Sequence, residues 1–124
     1  MHILIIEDEA LLANDLQMFL KELGADSCAL ATTQEEALRQ ALQERPDLIA
    51  SDLDLTEGLG VDTIATIQAR FGVIPTIYIT ARPDLMRRIA PDAMVVAKPI
   101  RWLQLVEATQ VHGLPPASSD GAKA

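Results

Sequence analysis

Short apolar runs that alternate with amphipathic segments constrain the fold of this chain more than any other feature of its sequence. The runs are continuously apolar, which is typical of strands covered on both faces, as in parallel sheets. Strand and helix patterns alternate five times, so the sequence predicts an α/β fold with a doubly wound, five-stranded parallel sheet and right-handed crossovers. The predicted strands lie near residues 3–6, 27–31, 48–52, 76–80 and 93–97.

Capping signals mark the boundaries of several helices. Thr33 followed by Glu36 predicts a capping box at the start of the second helix, and Gly24 predicts a glycine at the end of the first. We expect the third helix to run from about residue 61 to 71 and the fifth from about 102 to 111. These boundaries agree with the alternation of strands and helices.

Length, hydrophobic content and charge indicate one acidic globular domain. The chain has 124 residues, of which 49% are hydrophobic, and we expect a domain over 1–112 followed by a disordered tail or linker over 113–124. The net charge of −8 argues against binding to nucleic acid or to an anionic membrane. Because no apolar run approaches the roughly 20 residues of a membrane span and no signal peptide pattern is present, we expect a cytoplasmic protein.

Polar residues follow four of the predicted strands at the point where each strand ends. Because ligands in parallel sheets bind at the carboxyl ends of the strands, we expect these side chains to form one site. The residues are Glu7, Asp8 and Glu9 after the first strand, Asp52 at the end of the third, Thr80 at the end of the fourth, and Lys98 after the fifth.

This set of side chains suits phosphoryl transfer with a divalent cation. Carboxylates brought this close repel one another unless a cation lies between them, and Mg²⁺ prefers a few carboxylates, water and phosphate oxygens. An aspartate such as Asp52 can attack phosphorus and form an acyl phosphate. Thr80 and Lys98 would then hold the phosphoryl oxygens as charge develops on them.

Each of these residues also has an ordinary structural explanation when it is taken alone. An aspartate at a strand end often caps a turn, as Asp52 could. Thr80 is β-branched and therefore suited to a strand, and a lysine before a proline, such as Lys98, is usually a surface charge. Their occurrence together, each at the same end of a different strand, favours a functional site.

The motifs around these residues resemble those of the receiver domain of two-component response regulators, over about residues 3–111. The resemblance implies the flavodoxin-like receiver fold with strand order 2-1-3-4-5 and a signalling function in a two-component or phosphorelay system. The matching motifs are Ile5-Ile6-Glu7-Asp8-Glu9, Asp52 with Gly60 eight residues later, Ile79-Thr80-Ala81, and Lys98-Pro99.

The same resemblance implies a phosphoacceptor domain that catalyses only its own phosphorylation and dephosphorylation. Its phosphodonor would be a sensor histidine kinase or phosphotransfer protein, and its downstream target an unidentified protein. The net charge of −8 argues separately against binding of nucleic acid or membrane through this domain. Mg²⁺ would be the cofactor, with Mn²⁺ able to substitute, and the domain would be a monomer or a phosphorylation-dependent dimer. The implied roles are Asp52 as phosphoacceptor; Glu7, Asp8, Asp52 and the backbone carbonyl of Asp54 as metal ligands; Thr80 as the switch hydroxyl; Lys98 as the phosphate-binding cation; and Pro99 as the site of a cis bond.

Three features depart from the pattern that is usual in this family. Thr56 stands where a proline is usual, so we expect a looser loop after the acceptor. Val95 stands where Tyr or Phe is usual, which excludes an aromatic rotamer switch at that position. Pro83 and Pro91 leave at most residues 84–89 for a fourth helix, so we expect an atypical signalling surface.

Arg82, Ala81 and Thr56 are the positions at which we expect the chemistry to be modulated. Arg82 and Asp54 each lie two residues past a site residue, at the rim where a water molecule would attack. We expect them to pair across phosphorylated Asp52 and to slow its hydrolysis. The alternative is that both are solvated charges.

Two other functions remain open from the sequence. Residues 52–56 read D-x-D-x-T, which resembles the nucleophile motif of haloacid-dehalogenase-type phosphatases. In that family the other acidic pair follows the lysine, whereas here the acidic cluster precedes Asp52. The second alternative is an inactive receiver that serves only as a docking module, against which the complete set of site residues argues.

Overall fold

The computed structural model of the chain describes residues 1–55 and 58–113. In this part of the chain the main sheet has five strands, all parallel, in the order β2-β1-β3-β6-β7. This is the predicted order 2-1-3-4-5, because β6 and β7 are the fourth and fifth strands of that sheet. The strands are β1 (His2–Ile6), β2 (Ser27–Ala31), β3 (Leu48–Ser51), β4 (Asp54–Leu55), β5 (Gly58–Leu59), β6 (Thr76–Thr80) and β7 (Met94–Ala97).

Helices connect the strands of this sheet and cover both of its faces. The fourth helix is short, as predicted, but its 7 residues begin at Pro83, one residue before the predicted limit of 84–89, because proline is tolerated in the first turn of a helix. No helix within the two described ranges is long and apolar enough to cross a membrane. The helices are α1 (Ala10–Glu22), α2 (Gln34–Gln43), α3 (Gly60–Phe71), α4 (Pro83–Ile89) and α5 (Trp102–Val111).

The capping signals of the sequence act largely as predicted. The Thr33 hydroxyl accepts a hydrogen bond of 3.1 Å from the Glu36 N–H and caps α2. The Glu36 carboxylate reaches one residue further back than a capping box requires, and it accepts from the Thr32 N–H at 3.0 Å. Gly24 follows α1 with φ of 115°, a conformation that favours glycine.

The core consists of two apolar layers, one on each face of the sheet. Ile3 and Ile5 pack in the layer that contains buried residues of α1 and α5, whereas Leu4 and Ile6 pack in the layer covered by α2, α3 and α4. Met86 is the buried residue by which the short α4 joins the second layer. Because both faces are covered, β1 is buried at every position and apolar from Ile3 to Ile6, which explains the continuous runs in the sequence.

A small antiparallel hairpin between β4 and β5 follows Asp52 and was not predicted. Asp54 pairs with Leu59, and Leu55 pairs with Gly58. Strands of two residues are too short to leave a period in the sequence. The prediction of a looser loop at Thr56 lies outside the described residues, as does the predicted tail from residue 114 onward.

Gly60 begins α3 at a point of close approach to the end of β3. A Cβ atom at Gly60 would lie 2.0 Å from the Asp52 carbonyl oxygen and 2.9 Å from the Ser51 hydroxyl oxygen. The Gly60 N–H donates to the Leu53 carbonyl at 2.6 Å. Glycine is therefore required here by space, and its absence of a side chain lets α3 begin directly against the strand end.

We expect Gly60→Ala to lower the free energy of unfolding by about 1–3 kcal/mol, because the methyl group must displace main-chain atoms of Asp52. Urea unfolding measures this change. Ala65→Gly, at an exposed position of the same helix, is the control, since it alters helix propensity alone and costs about 1 kcal/mol. A Gly60→Ala variant as stable as the wild type would contradict the close approach.

Tyr78, the single tyrosine of the sequence, lies buried in β6, and this burial raises its pKa to about 12 from the ordinary value of 10.0. Below the unfolded pKa the phenol is neutral in both states. Between the two pKa values the unfolded chain ionises and the folded protein does not, so stability is lost as pH rises through this window.

We therefore expect the ultraviolet absorbance of folded protein to show phenolate formation near pH 12 rather than near pH 10. Across the same pH range, the unfolding free energy of the wild type should fall relative to that of Tyr78→Phe, which has no phenol to ionise. An ordinary midpoint in protein that is still folded would show that the ring is accessible to water.

Candidate functional site

The carboxyl ends of β1 and β3 bring three carboxylates together. Oxygens of Glu7, Asp8 and Asp52 all lie within 4.8 Å of one another. The backbone fixes two of these residues, since the Asp52 N–H donates to the Ile6 carbonyl and the Glu7 N–H donates to the Ala31 carbonyl, both at 2.9 Å. Adjacent strands thus hold the acidic groups together against their mutual repulsion.

Lys98 lies between two of these carboxylates. Its Nζ donates to Glu7 Oε1 at 2.8 Å and to Asp52 Oδ2 at 3.0 Å. The lysine directly follows β7, its N–H donates to the Thr80 carbonyl at 2.8 Å, and the bond from Lys98 to Pro99 is cis. The ends of β1, β3 and β7 therefore meet in one charged cluster.

The electrostatics of the cluster reflect its burial. Glu7 is only 1% exposed, and this burial raises the pKa of its carboxyl group. The hydrogen bonds from Lys98 and from the Glu9 N–H lower the pKa, but they offset the effect of burial only in part. Burial alone lowers the pKa of Lys98, but the hydrogen bonds to Glu7 and Asp52 outweigh it, so that this pKa lies above its ordinary value. Three carboxylates against one ammonium leave an excess of negative charge that favours a bound cation.

The Asp52 side chain is oriented at both of its carboxylate oxygens. Oδ2 accepts from Lys98, and Oδ1 accepts from the Asp54 N–H at 3.2 Å. The main-chain carbonyl of Asp52 accepts from the Ser51 hydroxyl at 2.9 Å. Sequence reasoning missed this last contact because it counted Ser51 within an apolar run; the signal was a lone hydroxyl directly before the aspartate.

Thr80 and Arg82 form the neighbouring part of the site, at the end of β6. Thr80 is fully buried, and its hydroxyl oxygen accepts a hydrogen bond of 2.9 Å from the Arg82 N–H. The Arg82 guanidinium binds the Asp54 carboxylate through two hydrogen bonds, one from Nε to Oδ2 at 3.0 Å and one to Oδ1. Asp54 and Arg82 thus pair at the rim, where both remain partly exposed.

The donor set fits a hard divalent cation. Glu7, Asp8 and Asp52 offer carboxylate oxygens at one point, which suits Mg²⁺ better than a softer transition metal. Each carboxylate oxygen can accept at more than one lone pair, so the hydrogen bonds from Lys98 do not exclude a metal. The role of the Asp54 carbonyl as a further ligand stays a prediction.

A groove of about 460 Å³ opens beside the charged cluster, and Ala81, Lys98, Pro99 and Trp102 are among the residues that line it. The Trp102 ring packs against the Phe19 ring with 4.7 Å between their centroids, and it is 37% exposed. Trp102 therefore fastens α5 to α1 and also presents a surface to solvent next to the site.

The chain matches the family model of the response regulator receiver domain over residues 3–110. The phyllosphere-induced regulator PhyR of Methylorubrum extorquens is 39% identical over 103 residues, which cover 80% of this chain and 38% of that protein. The transcriptional regulatory protein PdtaR of Mycobacterium tuberculosis is 32% identical over 114 residues, which cover 88% of this chain and 55% of that protein. The chain thus spans about half, or less, of the length of these curated relatives.

Solved structures of response regulators also match this chain. The anti-anti-sigma factor PhyR from Bartonella quintana superposes with a TM-score of 0.77 at 31% identity, and the match covers 90% of this chain and 46% of that chain. The receiver domain of the PhyR response regulator from Erythrobacter litoralis gives a TM-score of 0.76 at 30% identity, with 92% and 93% covered. The fold, the strand-end cluster and these matches agree, and the chain belongs to the response regulator receiver domain family.

Proposed function

We propose that this receiver domain accepts a phosphoryl group on Asp52 from the phosphohistidine of a sensor histidine kinase or phosphotransfer protein. The observation that carries the proposal is the contact of the Lys98 ammonium with the Asp52 carboxylate, at 3.0 Å, beside the oxygens of Glu7 and Asp8. The residues that we propose as acceptor, phosphate-binding cation and metal ligands thus lie together at one strand-end site.

The transfer follows from the chemistry of these groups. An oxygen of Asp52 attacks phosphorus in line, a P–O bond forms, and the P–N bond of the phosphohistidine breaks with its electron pair returning to the imidazole nitrogen. Lys98 offsets the charge on the phosphoryl oxygens, and the Thr80 hydroxyl donates a hydrogen bond to one of them. The product is an acyl phosphate that adds about one net negative charge or more to the site.

Glu7, Asp8, Asp52 and the carbonyl of Asp54 would hold Mg²⁺, or Mn²⁺ in its place. When bound, the ion neutralises charge on the transferring phosphoryl group and orients it toward the acceptor. The protein's own contribution is the fixed spacing of the carboxylates, which β1 and β3 impose before any ligand arrives.

The conformational response would start at Thr80. When its hydroxyl turns toward the phosphoryl group, it leaves or weakens the hydrogen bond from the Arg82 N–H, and Arg82 is the residue that precedes α4. Since Val95 occupies the position of the usual aromatic switch, the change would pass through α4 itself. The shift between two existing states would be limited to a few kcal/mol.

The partners follow from charge and from the relatives. A net charge of −8 argues against nucleic acid and anionic membranes, so the downstream partner would be a protein, bound by a monomer or by a phosphorylation-dependent dimer. The Bartonella relative is named an anti-anti-sigma factor, but this chain matches only 46% of it. We therefore carry over a protein target and not that particular one.

The two alternative functions make different predictions. A phosphatase of the haloacid-dehalogenase type would turn over phosphomonoesters continuously, whereas we expect a single phosphorylation of each chain and no such turnover. A docking module would take up no phosphoryl group at all. The cluster of Glu7, Asp8, Asp52 and Lys98 favours the phosphoacceptor, because a surface used only for docking has no need of buried opposing charges.

Incubation with Mg²⁺ and a small acyl phosphate should increase the intact mass of the protein by one phosphoryl group. Asp52→Asn should abolish this gain, because the amide cannot act as the nucleophile. Asp62→Asn, at an exposed position of α3, is the matched control and should be phosphorylated like the wild type.

Omission of Mg²⁺ should reduce the gain strongly. A mass gain that persists in Asp52→Asn would place the acceptor elsewhere. No gain in the wild type, with either the acyl phosphate or a phosphohistidine donor, would favour the docking module.

Arg82→Ala should shorten the lifetime of the phosphorylated protein by about two- to fivefold, the size expected when one exposed ion pair is lost. The physical reason is that the pair of Arg82 and Asp54 narrows the path by which water reaches the acyl phosphate. Loss of phosphate with time, followed by intact mass, measures the lifetime.

Arg88→Ala removes an equal charge from an exposed position of α4 and is the control. Equal lifetimes in the wild type and Arg82→Ala would mean that the pair is only a solvated surface contact.

A further inference from the structure

The main-chain carbonyl of Asp52 lies at a crowded point where β3 has just ended. Ser51 is the last residue of β3, is only 1% exposed, and donates its hydroxyl to this carbonyl at 2.9 Å. Gly60 approaches the same oxygen so closely that a Cβ atom there would lie 2.0 Å away. The carbonyl is therefore held between the hydroxyl of the preceding residue and the start of α3.

This arrangement fixes the peptide groups on both sides of the Asp52 Cα atom. On the amino side, the Asp52 N–H donates to the Ile6 carbonyl at 2.9 Å. On the carboxyl side, the carbonyl is held by Ser51, and the next carbonyl, of Leu53, accepts from Gly60 at 2.6 Å. Since two fixed peptide planes determine the direction of the Cα–Cβ bond, they aim the carboxylate.

We propose that Ser51 is a positioning residue for the phosphoryl acceptor, an inference that rests on the proposed function. Its hydroxyl holds the Asp52 carbonyl in place, and this directs the carboxylate toward Lys98 and toward the carboxylates of Glu7 and Asp8. The Ser51 hydroxyl donates to the Asp52 carbonyl and would contact neither the phosphoryl group nor the metal. It acts through the backbone of the residue that does.

Loss of this one hydrogen bond is expected to have a large effect on phosphorylation and on metal binding. A buried carbonyl that loses its hydrogen-bond donor is left unsatisfied, so the backbone at Asp52 is expected to shift toward another donor, and a shift of its Cα atom displaces the carboxylate. Displacement of a reacting group by about 1 Å slows a reaction by up to about 100-fold. Residues that orient metal ligands typically change metal affinity by about 10- to 100-fold when they are removed.

A matched hydroxyl elsewhere in the chain separates positioning from general stability. Thr109, in α5, is also only 1% exposed, and its hydroxyl donates to the Val106 carbonyl at 2.8 Å. Thr109→Val therefore removes a hydroxyl-to-carbonyl hydrogen bond of similar length from an equally buried residue, outside the charged cluster. Both Ser51→Ala and Thr109→Val should lower the midpoint of urea unfolding.

The test uses the full chain with either substitution and measures two quantities in folded protein. The dissociation constant for Mg²⁺, from the fluorescence of Trp102, should rise about tenfold in Ser51→Ala and stay within about twofold in Thr109→Val. The rate of phosphorylation by an acyl phosphate at saturating Mg²⁺ should fall about tenfold in Ser51→Ala alone.

The outcomes distinguish this inference from the proposed function. An Mg²⁺ dissociation constant and a phosphorylation rate equal to those of Thr109→Val would overturn the role of Ser51 and leave the function standing. If the wild type accepts no phosphoryl group, the function fails, and the Mg²⁺ measurement still decides the role of Ser51. If Ser51→Ala does not fold, Ser51→Cys, whose thiol is a weaker donor, should show smaller changes in the same direction.

Discussion

The rest of the site depends on one interaction, the Lys98 ammonium held between the carboxylates of Glu7 and Asp52. The contacts join residues 91 and 46 positions apart, so three strand ends must be in register for the charges to meet. Removal of Lys98 would leave two buried carboxylates without their counterion, which is far more costly than never burying the charges. The sheet therefore holds together a cluster that is unfavourable by itself, and the excess of negative charge in that cluster favours an incoming cation.

Much of the fold was readable from the sequence because the sheet is buried on both faces. The apolar runs at residues 3–6 and 48–52 locate strands to within one residue at each end, and the short α4 follows from Pro83 and Pro91. The spacing of the apolar runs does not predict the order of the strands in the sheet. That order came from the family resemblance, since apolar runs say that strands are central but not which strand lies beside which.

The features that could not be predicted from the sequence are contacts between individual pairs of residues, which leave no periodic pattern in the sequence. Glu7 is buried against Lys98 because the carboxyl ends of β1 and β7 lie at the same level of the sheet. The sequence alone does not show how far two distant strands extend relative to each other. The hairpin of β4 and β5 depends on two backbone pairs. The contact of Ser51 with the next carbonyl is local, yet a serine in an apolar run looks like an ordinary strand residue until its hydrogen bond is seen.

The short α4 gives this domain an uneven distribution of local stability. Seven residues form few backbone hydrogen bonds within one helix, no side chain caps its start, and Met86 is its buried anchor. Such a segment opens at a lower free energy than the sheet beneath it, so its amide hydrogens exchange with solvent by local opening rather than by unfolding of the whole domain. The side chain of Met86 is unbranched and flexible, so it can pack in more than one rotamer. This would let α4 shift its position on the sheet while β6 and β7 stay in place.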